Sequence, residues 1–117
     1  MTSTTILIVD DSRVSRMLVR AIIDHANKEI QIVEASTGEE ALTKTENISL
    51  AMAILDLNMP GMDGLVLATE LLQNYPKLKI GLLTANIQDI VRQKAKDLGI
   101  GFIPKPITEE KILNFIV

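Results

Sequence analysis

Apolar residues are distributed along the chain in two alternating patterns. Five short runs are dominated by aliphatic side chains: Ile6-Leu7-Ile8-Val9, Ile30 to Val33, Ala51 to Leu55, Ile80 to Leu83, and Ile100 to Ile103. Runs of this length between polar or turn residues predict strands. Four are close to continuously apolar, as strands covered on both faces are; Glu29-Ile30-Gln31-Ile32 alternates instead, which suits an edge strand. The intervening segments have helical spacing. After Asp11 and Ser12, which can cap a helix start, Val14, Leu18, Ala21, Ile22 and His25 share one stripe, with Arg13, Arg16 and Arg20 interleaved, predicting an amphipathic first helix that rests on that stripe. Thr37-Gly38-Glu39-Glu40 has the form of a capping box and opens a short second helix. Leu65 to Tyr75 predicts a third, ended by Pro76. Ile87, Val91, Ala95 and Leu98 mark the inward face of a fourth, stopped by Gly99, and Thr108-Glu109-Glu110 opens a fifth within the last stretch, 107–117.

Five strand–helix alternations imply parallel strands joined by right-handed crossovers, with helices on both faces of the sheet. The chain of 117 residues is the size of one such unit, so a single α/β domain over 1–117 is the expectation. Composition narrows the class further. With 47% hydrophobic and 23% charged residues the balance is that of a globular protein, and the apolar runs are too short to cross a bilayer. There is no cysteine, which removes disulfide frameworks and thiolate metal sites and agrees with a cytoplasmic location. A net charge of −3, with one tyrosine and two phenylalanines, offers neither a basic footprint nor a stacking platform for nucleic acid.

The polar residues just after the apolar runs carry the chemistry. Asp10 and Asp11 follow the first run, Asp56 the third, Thr84 ends the fourth and Lys105 follows the fifth. Each alone reads as a turn residue, a cap or a solvated lysine. Together they share the carboxyl edge of one parallel sheet, where sites of open α/β folds lie. Three neighbouring carboxylates repel unless a divalent cation joins them, and an all-oxygen set without cysteine or a nearby histidine suits a hard ion: Mg²⁺, or Mn²⁺. Such an ion together with Lys105 neutralises the three aspartates, so the site tolerates a phosphoryl group added to Asp56.

Val9-Asp10-Asp11-Ser12, the stretch Leu55-Asp56-Leu57-Asn58-Met59-Pro60-Gly61-Met62-Asp63-Gly64, Leu83-Thr84-Ala85 and Pro104-Lys105-Pro106 resemble the receiver domain of two-component response regulators, in order and over essentially the whole chain. The resemblance is to the single-domain, CheY-like type. It implies a flavodoxin-like, doubly wound five-stranded parallel sheet of order 2-1-3-4-5 with five helices. It also implies a phosphorelay switch and no independent enzyme: Asp56 takes a phosphoryl group from a sensor histidine kinase or histidine phosphotransfer protein and later loses it by autodephosphorylation. By the same resemblance Asp11, Asp56 and the Asn58 backbone carbonyl bind the metal, Asp10 acts through water, and Lys105 and Thr84 contact phosphoryl oxygens. No organic cofactor site is implied. Thr84 and Phe102 form the switch, with phenylalanine where the family often has tyrosine. The side chains of Asn58 and Asn86 flank the phosphoryl group, and the Lys105–Pro106 peptide is cis.

A downstream target would be met on the face of the fourth helix, fifth strand and fifth helix, where Ile90 lies off the apolar stripe; a phosphorylation-dependent homodimer is a further implied partner. Other readings compete. A haloacid-dehalogenase-like phosphatase also uses an aspartyl nucleophile with Mg²⁺, but wants an aspartate where Asn58 stands and a cap domain for which there is no room. A flavin carrier of similar topology wants a phosphate-cradling loop after the first strand. A receiver that no longer takes phosphate is at odds with the intact Asp56, Thr84 and Lys105, and a receiver domain excised from a larger regulator is the remaining alternative. His25 reads as a helix-end residue.

Overall fold

Parallel strands cannot be joined by tight turns, so each must be followed by a segment long enough to return the chain to the starting edge. The computed structural model, which describes residues 4–117, meets this requirement with a helix after every strand: β1 (Thr5–Val9), α1 (Arg13–Ala26), β2 (Gln31–Ala35), α2 (Gly38–Lys44), β3 (Met52–Asp56), α3 (Gly64–Asn74), β4 (Lys79–Thr84), α4 (Asp89–Leu98), β5 (Gly101–Pro104) and α5 (Glu109–Ile116). The sheet order is β2-β1-β3-β4-β5, all pairs parallel. The alternating second run lies at one edge, as its pattern implied, and the apolar fifth run lies at the other.

Alternate strand residues serve the two faces. Leu7, Val9, Ala53, Leu55 and Ile80 pack against Ala41 of α2 and Leu67, Ala68 and Leu71 of α3. Ile6, Ile8, Ile54, Leu83 and Ile103 pack against Val19 and Ile23 of α1 and Ile112 of α5. A smaller cluster joins Leu82 to Val91 and Ala95 of α4, with Phe102 at its margin. Ser12, Thr37 and Thr108 cap where the sequence placed them, and Asp63 caps α3 likewise, each accepting an amide of the first helical turn. At α2 the Glu40 carboxylate accepts the Ser36 amide at 2.6 Å, one residue earlier than a standard capping box.

Two sequence readings require correction. The inward stripe of α1 is the expected one advanced by a single residue, about 100° around the helix: Val19 and Ile23 are buried and Ile22 half-buried, whereas Val14, Leu18, Ala21 and His25 are exposed. Both faces of α1 carry apolar residues, so periodicity alone did not select the one against the sheet. In α4, Val91 and Ala95 are buried as read, but Ile87 precedes the N-cap Gln88 and is 62% exposed. Ile90 is exposed, as its position off the stripe implied.

One glycine ties the fold to the sheet edge. The first residue of α3, Gly64, lies so close to β3 that a β-carbon there would sit 2.4 Å from the Asp56 main-chain oxygen. Its amide donates to the Leu57 carbonyl at 3.0 Å. A methyl group at this point must push α3 away from the end of β3. Gly64→Ala is therefore expected to cost about 1–3 kcal/mol, the usual range for overpacking, read as a lower midpoint in urea unfolding with an unchanged slope.

Candidate functional site

All strands of a parallel sheet end at one edge, and the residues that terminate the apolar runs gather there. Asp56 is the last residue of β3, in register with Leu83 of β4. Thr84 ends β4 opposite Pro104. Lys105 follows β5, its amide donating to the Thr84 carbonyl at 2.8 Å, and its bond to Pro106 is cis. Asp10 follows β1, and its amide donates to the Ala35 carbonyl at 3.2 Å.

The side chains converge. Carboxylate oxygens of Asp10, Asp11 and Asp56 lie within 4.8 Å of one another, Asp10 and Asp56 buried and Asp11 exposed. Lys105 Nζ is 3.0 Å from Asp56 Oδ1. Asp10 Oδ1 accepts the Ser12 amide at 2.9 Å, while its buried Oδ2 has no hydrogen-bond partner among the described residues. Burial pushes the Asp56 carboxyl above the ordinary carboxylate range, Asp11 adds to this, and Lys105 opposes it. Burial likewise raises Asp10, with Asp56 and Asp11 acting in the same sense and Ser12 and Lys105 against it. A buried carboxylate oxygen without a donor, beside two further carboxylates, leaves negative charge unbalanced, and one lysine does not neutralise three acids. An all-oxygen donor set with this excess charge fits a hard divalent cation.

The remaining residues singled out in the sequence lie around this cluster. Thr84 is buried, its hydroxyl oxygen accepting the Asn86 amide at 2.9 Å. Asn86 Oδ1 in turn accepts the Gln88 amide at 3.0 Å. Asn58, two residues beyond Asp56, is exposed. Phe102 is half-buried on β5 beside Leu82, and the Arg92 guanidinium lies over its ring, 4.5 Å from the centroid. His25 is exposed in the last turn of α1, the end remote from Asp11. Two contributors were not recognised beforehand. Gly64 abuts the Asp56 backbone; a glycine at the first position of a helix already capped by Asp63 needs no turn, and that was the available signal. Arg16 donates to the Asp10 carbonyl at 2.7 Å, and nothing in its spacing separates it from Arg13 or Arg20.

The raised carboxyls have a consequence for stability. An acid whose folded value lies above its unfolded one favours folding while protonated and loses that advantage as pH rises through the folded value. Asp10→Asn keeps an oxygen for the Ser12 amide and removes one repelling charge. In metal-free buffer at neutral pH it is expected to melt above wild type. The difference should shrink as pH falls through the raised Asp10 titration toward 3.8. Thermal melts from neutral to acidic pH with a chelator present check both statements; a variant less stable than wild type at neutral pH would contradict them.

Comparison with known proteins agrees with this geometry. The family model described as the response regulator receiver domain matches residues 6–117. The protein CcdB of Bacillus subtilis is 32% identical over 114 residues, 97% of this chain and 94% of that one. Among solved structures, the Vibrio cholerae chemotaxis protein CheY4 superposes with a TM-score of 0.89 at 27% identity, covering 98% of this chain and 97% of its own. CheY from a CheX–CheY–BeF3–Mg²⁺ complex of Borrelia burgdorferi superposes with a TM-score of 0.86 at 26% identity, covering 97% of this chain and 86% of its own. Fold, acidic cluster and family match coincide: the chain belongs to the response regulator receiver domain family, the phosphorylation-activated switches of two-component signalling.

Proposed function

We propose that Asp56 is the phosphoryl acceptor of this switch and that the donor is a phosphohistidine on a sensor histidine kinase or histidine phosphotransfer protein. The observation that carries the assignment is the buried Asp56 carboxylate at the end of β3, paired with Lys105 at 3.0 Å inside the acidic cluster. In the step, an Asp56 carboxylate oxygen forms a bond to phosphorus while the phosphorus–nitrogen bond of the donor breaks, its electron pair staying with the departing imidazole. Lys105 lies where it can compensate charge on the phosphoryl oxygens, and the rigid ends of β3 and β5 hold the two groups without reorganisation. Asp11, Asp56 and the Asn58 main-chain carbonyl would hold Mg²⁺, or Mn²⁺, with Asp10 acting through water. A bound cation would supply charge neutralisation on the transferring oxygens. The reaction is confined to the chain's own Asp56 and its later hydrolysis, so the protein is a switch and not an enzyme acting on other substrates. We place this receiver unit, 1–117, in the cytoplasm with its phosphodonor.

Readout is assigned to Thr84 and Phe102. A phosphoryl oxygen offers the Thr84 hydroxyl an acceptor that exists only in the modified protein. Drawing that side chain toward Asp56 frees space between β4 and α4, into which the Phe102 ring can move, leaving the Arg92 guanidinium behind. The surface that changes is the one formed by α4, β5 and α5, where a downstream protein or a second copy would bind. A charge-assisted hydrogen bond of about 1.5–3 kcal/mol shifts a balanced two-state equilibrium roughly tenfold to a hundredfold.

Intact mass after incubation with a small acyl phosphate and Mg²⁺ should show one added phosphoryl group on wild type and none on Asp56→Asn; an unmodified wild type would overturn the assignment. Thr84→Ala should still accept the group on Asp56. With beryllofluoride, however, it should lose most of the chemical-shift changes of α4 and β5 that wild type shows. Full wild-type perturbation in Thr84→Ala would remove Thr84 from the route.

A further inference from the structure

The turn between β1 and α1 carries two of the three acids, and their repulsion works against any fixed placement of it. The Asp10 main-chain carbonyl belongs to the peptide group that joins Asp10 to Asp11, so whatever holds that oxygen sets the plane from which Asp11 departs. It accepts Arg16 Nη1 at 2.7 Å. The same guanidinium donates from Nε to Glu34 Oε1 on β2 at 3.2 Å, and the other Glu34 oxygen accepts Arg20 Nη1 at 2.7 Å. The Arg16 side chain is only 17% exposed, although it stands in the first turns of a surface helix. Arg20, desolvation notwithstanding, holds the Glu34 carboxyl below its ordinary range, and Arg16 contributes in the same direction. The chain Arg20, Glu34, Arg16, Asp10 carbonyl thus runs from α1 through β2 to the acidic turn.

We infer that Arg16 is a positioning residue of the cation site, its guanidinium fixing the Asp10–Asp11 peptide plane while Glu34 and Arg20 fix the guanidinium. The inference rests on the reading that this cluster binds a divalent cation. Its physical basis is the planar fork of arginine, which sends two hydrogen bonds in set directions to two different elements; a lysine ammonium, a single point at the end of a flexible stem, does not reproduce both. Partners one step removed from a metal typically change its affinity ten- to a hundredfold when lost.

The test uses the full chain and Mg²⁺ itself, with affinity from calorimetric titration at a temperature where circular dichroism shows every variant folded. Arg16→Met, which keeps the apolar stem, should weaken Mg²⁺ binding by about tenfold or more. Arg16→Lys should not recover wild-type affinity, and Glu34→Gln, which still offers Arg16 one acceptor, should fall between. A role limited to tying α1 to β2 would lower melting temperatures and leave the affinity of the folded protein alone. Wild-type affinity in Arg16→Met, or its full recovery in Arg16→Lys, overturns the inference while leaving the cation site standing. If Arg16→Met does not fold, Glu34→Gln at wild-type affinity overturns it. A wild type that binds no Mg²⁺ fails the underlying reading and this inference with it.

Discussion

Repulsion among Asp10, Asp11 and Asp56 is the constraint around which this protein is built. Carboxylate oxygens within 4.8 Å of one another, two of the three side chains buried, form an arrangement that an isolated peptide would abandon by turning the acids outward. Asp10 and Asp56 cannot turn away, because each stands at the end of a strand whose neighbouring residues are among the most buried in the molecule, and Asp11 follows Asp10 in the turn. Val9 and Leu55, next to Asp10 and Asp56, are at most 1% exposed. The hydrophobic sheet thus holds charges in a place they would not choose, and the strain is released by whatever brings positive charge to the edge.

Lys105 is the built-in part of that positive charge, and its attachment links the acidic edge to β4. The Lys105 amide is bonded to the Thr84 carbonyl, so the ends of β4 and β5 move together. Thr84 is the residue after Leu83, the β4 partner of Asp56, and Phe102 lies three residues before Lys105 on β5, its ring shared between the Leu82 cluster and Arg92. The guanidinium holds the ring only weakly, since an exposed cation–π contact contributes about 0.5–1 kcal/mol. In the proposed switch, a new hydrogen bond at Thr84 would need to outweigh little more than this contact.

The fold was legible because parallel strands covered on both faces must be apolar throughout, which makes runs such as Ile6 to Val9 and Ile80 to Leu83 hard to mistake, and because a parallel sheet delivers every strand end to one edge. Asp10, Asp56, Thr84 and Lys105 are therefore placed together by the strand pattern alone. What escaped was side-chain geometry that periodicity does not encode. The stripe Val14, Leu18, Ala21 and the stripe Val19, Ile22, Ile23 are both plausible inner faces of α1, and only packing against β1 and α5 decides between them. Arg16 differs from Arg13 and Arg20 in its burial and in facing the Asp10 carbonyl, neither of which spacing encodes. Gly64 matters through a close approach to the Asp56 backbone, signalled locally only by a glycine that opens a helix without needing a turn.

The protein carries uncompensated negative charge at this edge, which a divalent cation would relieve. Thermal unfolding of wild type across a Mg²⁺ titration tests it most directly, since a ligand that binds only the folded state stabilises by mass action, by about 2.7 kcal/mol at a hundred times its dissociation constant. The melting temperature should rise by several degrees with Mg²⁺ and continue to climb with the logarithm of concentration, an effect not reproduced by sodium chloride at equal ionic strength. A melting temperature indifferent to Mg²⁺, or raised equally by the monovalent salt, would contradict it.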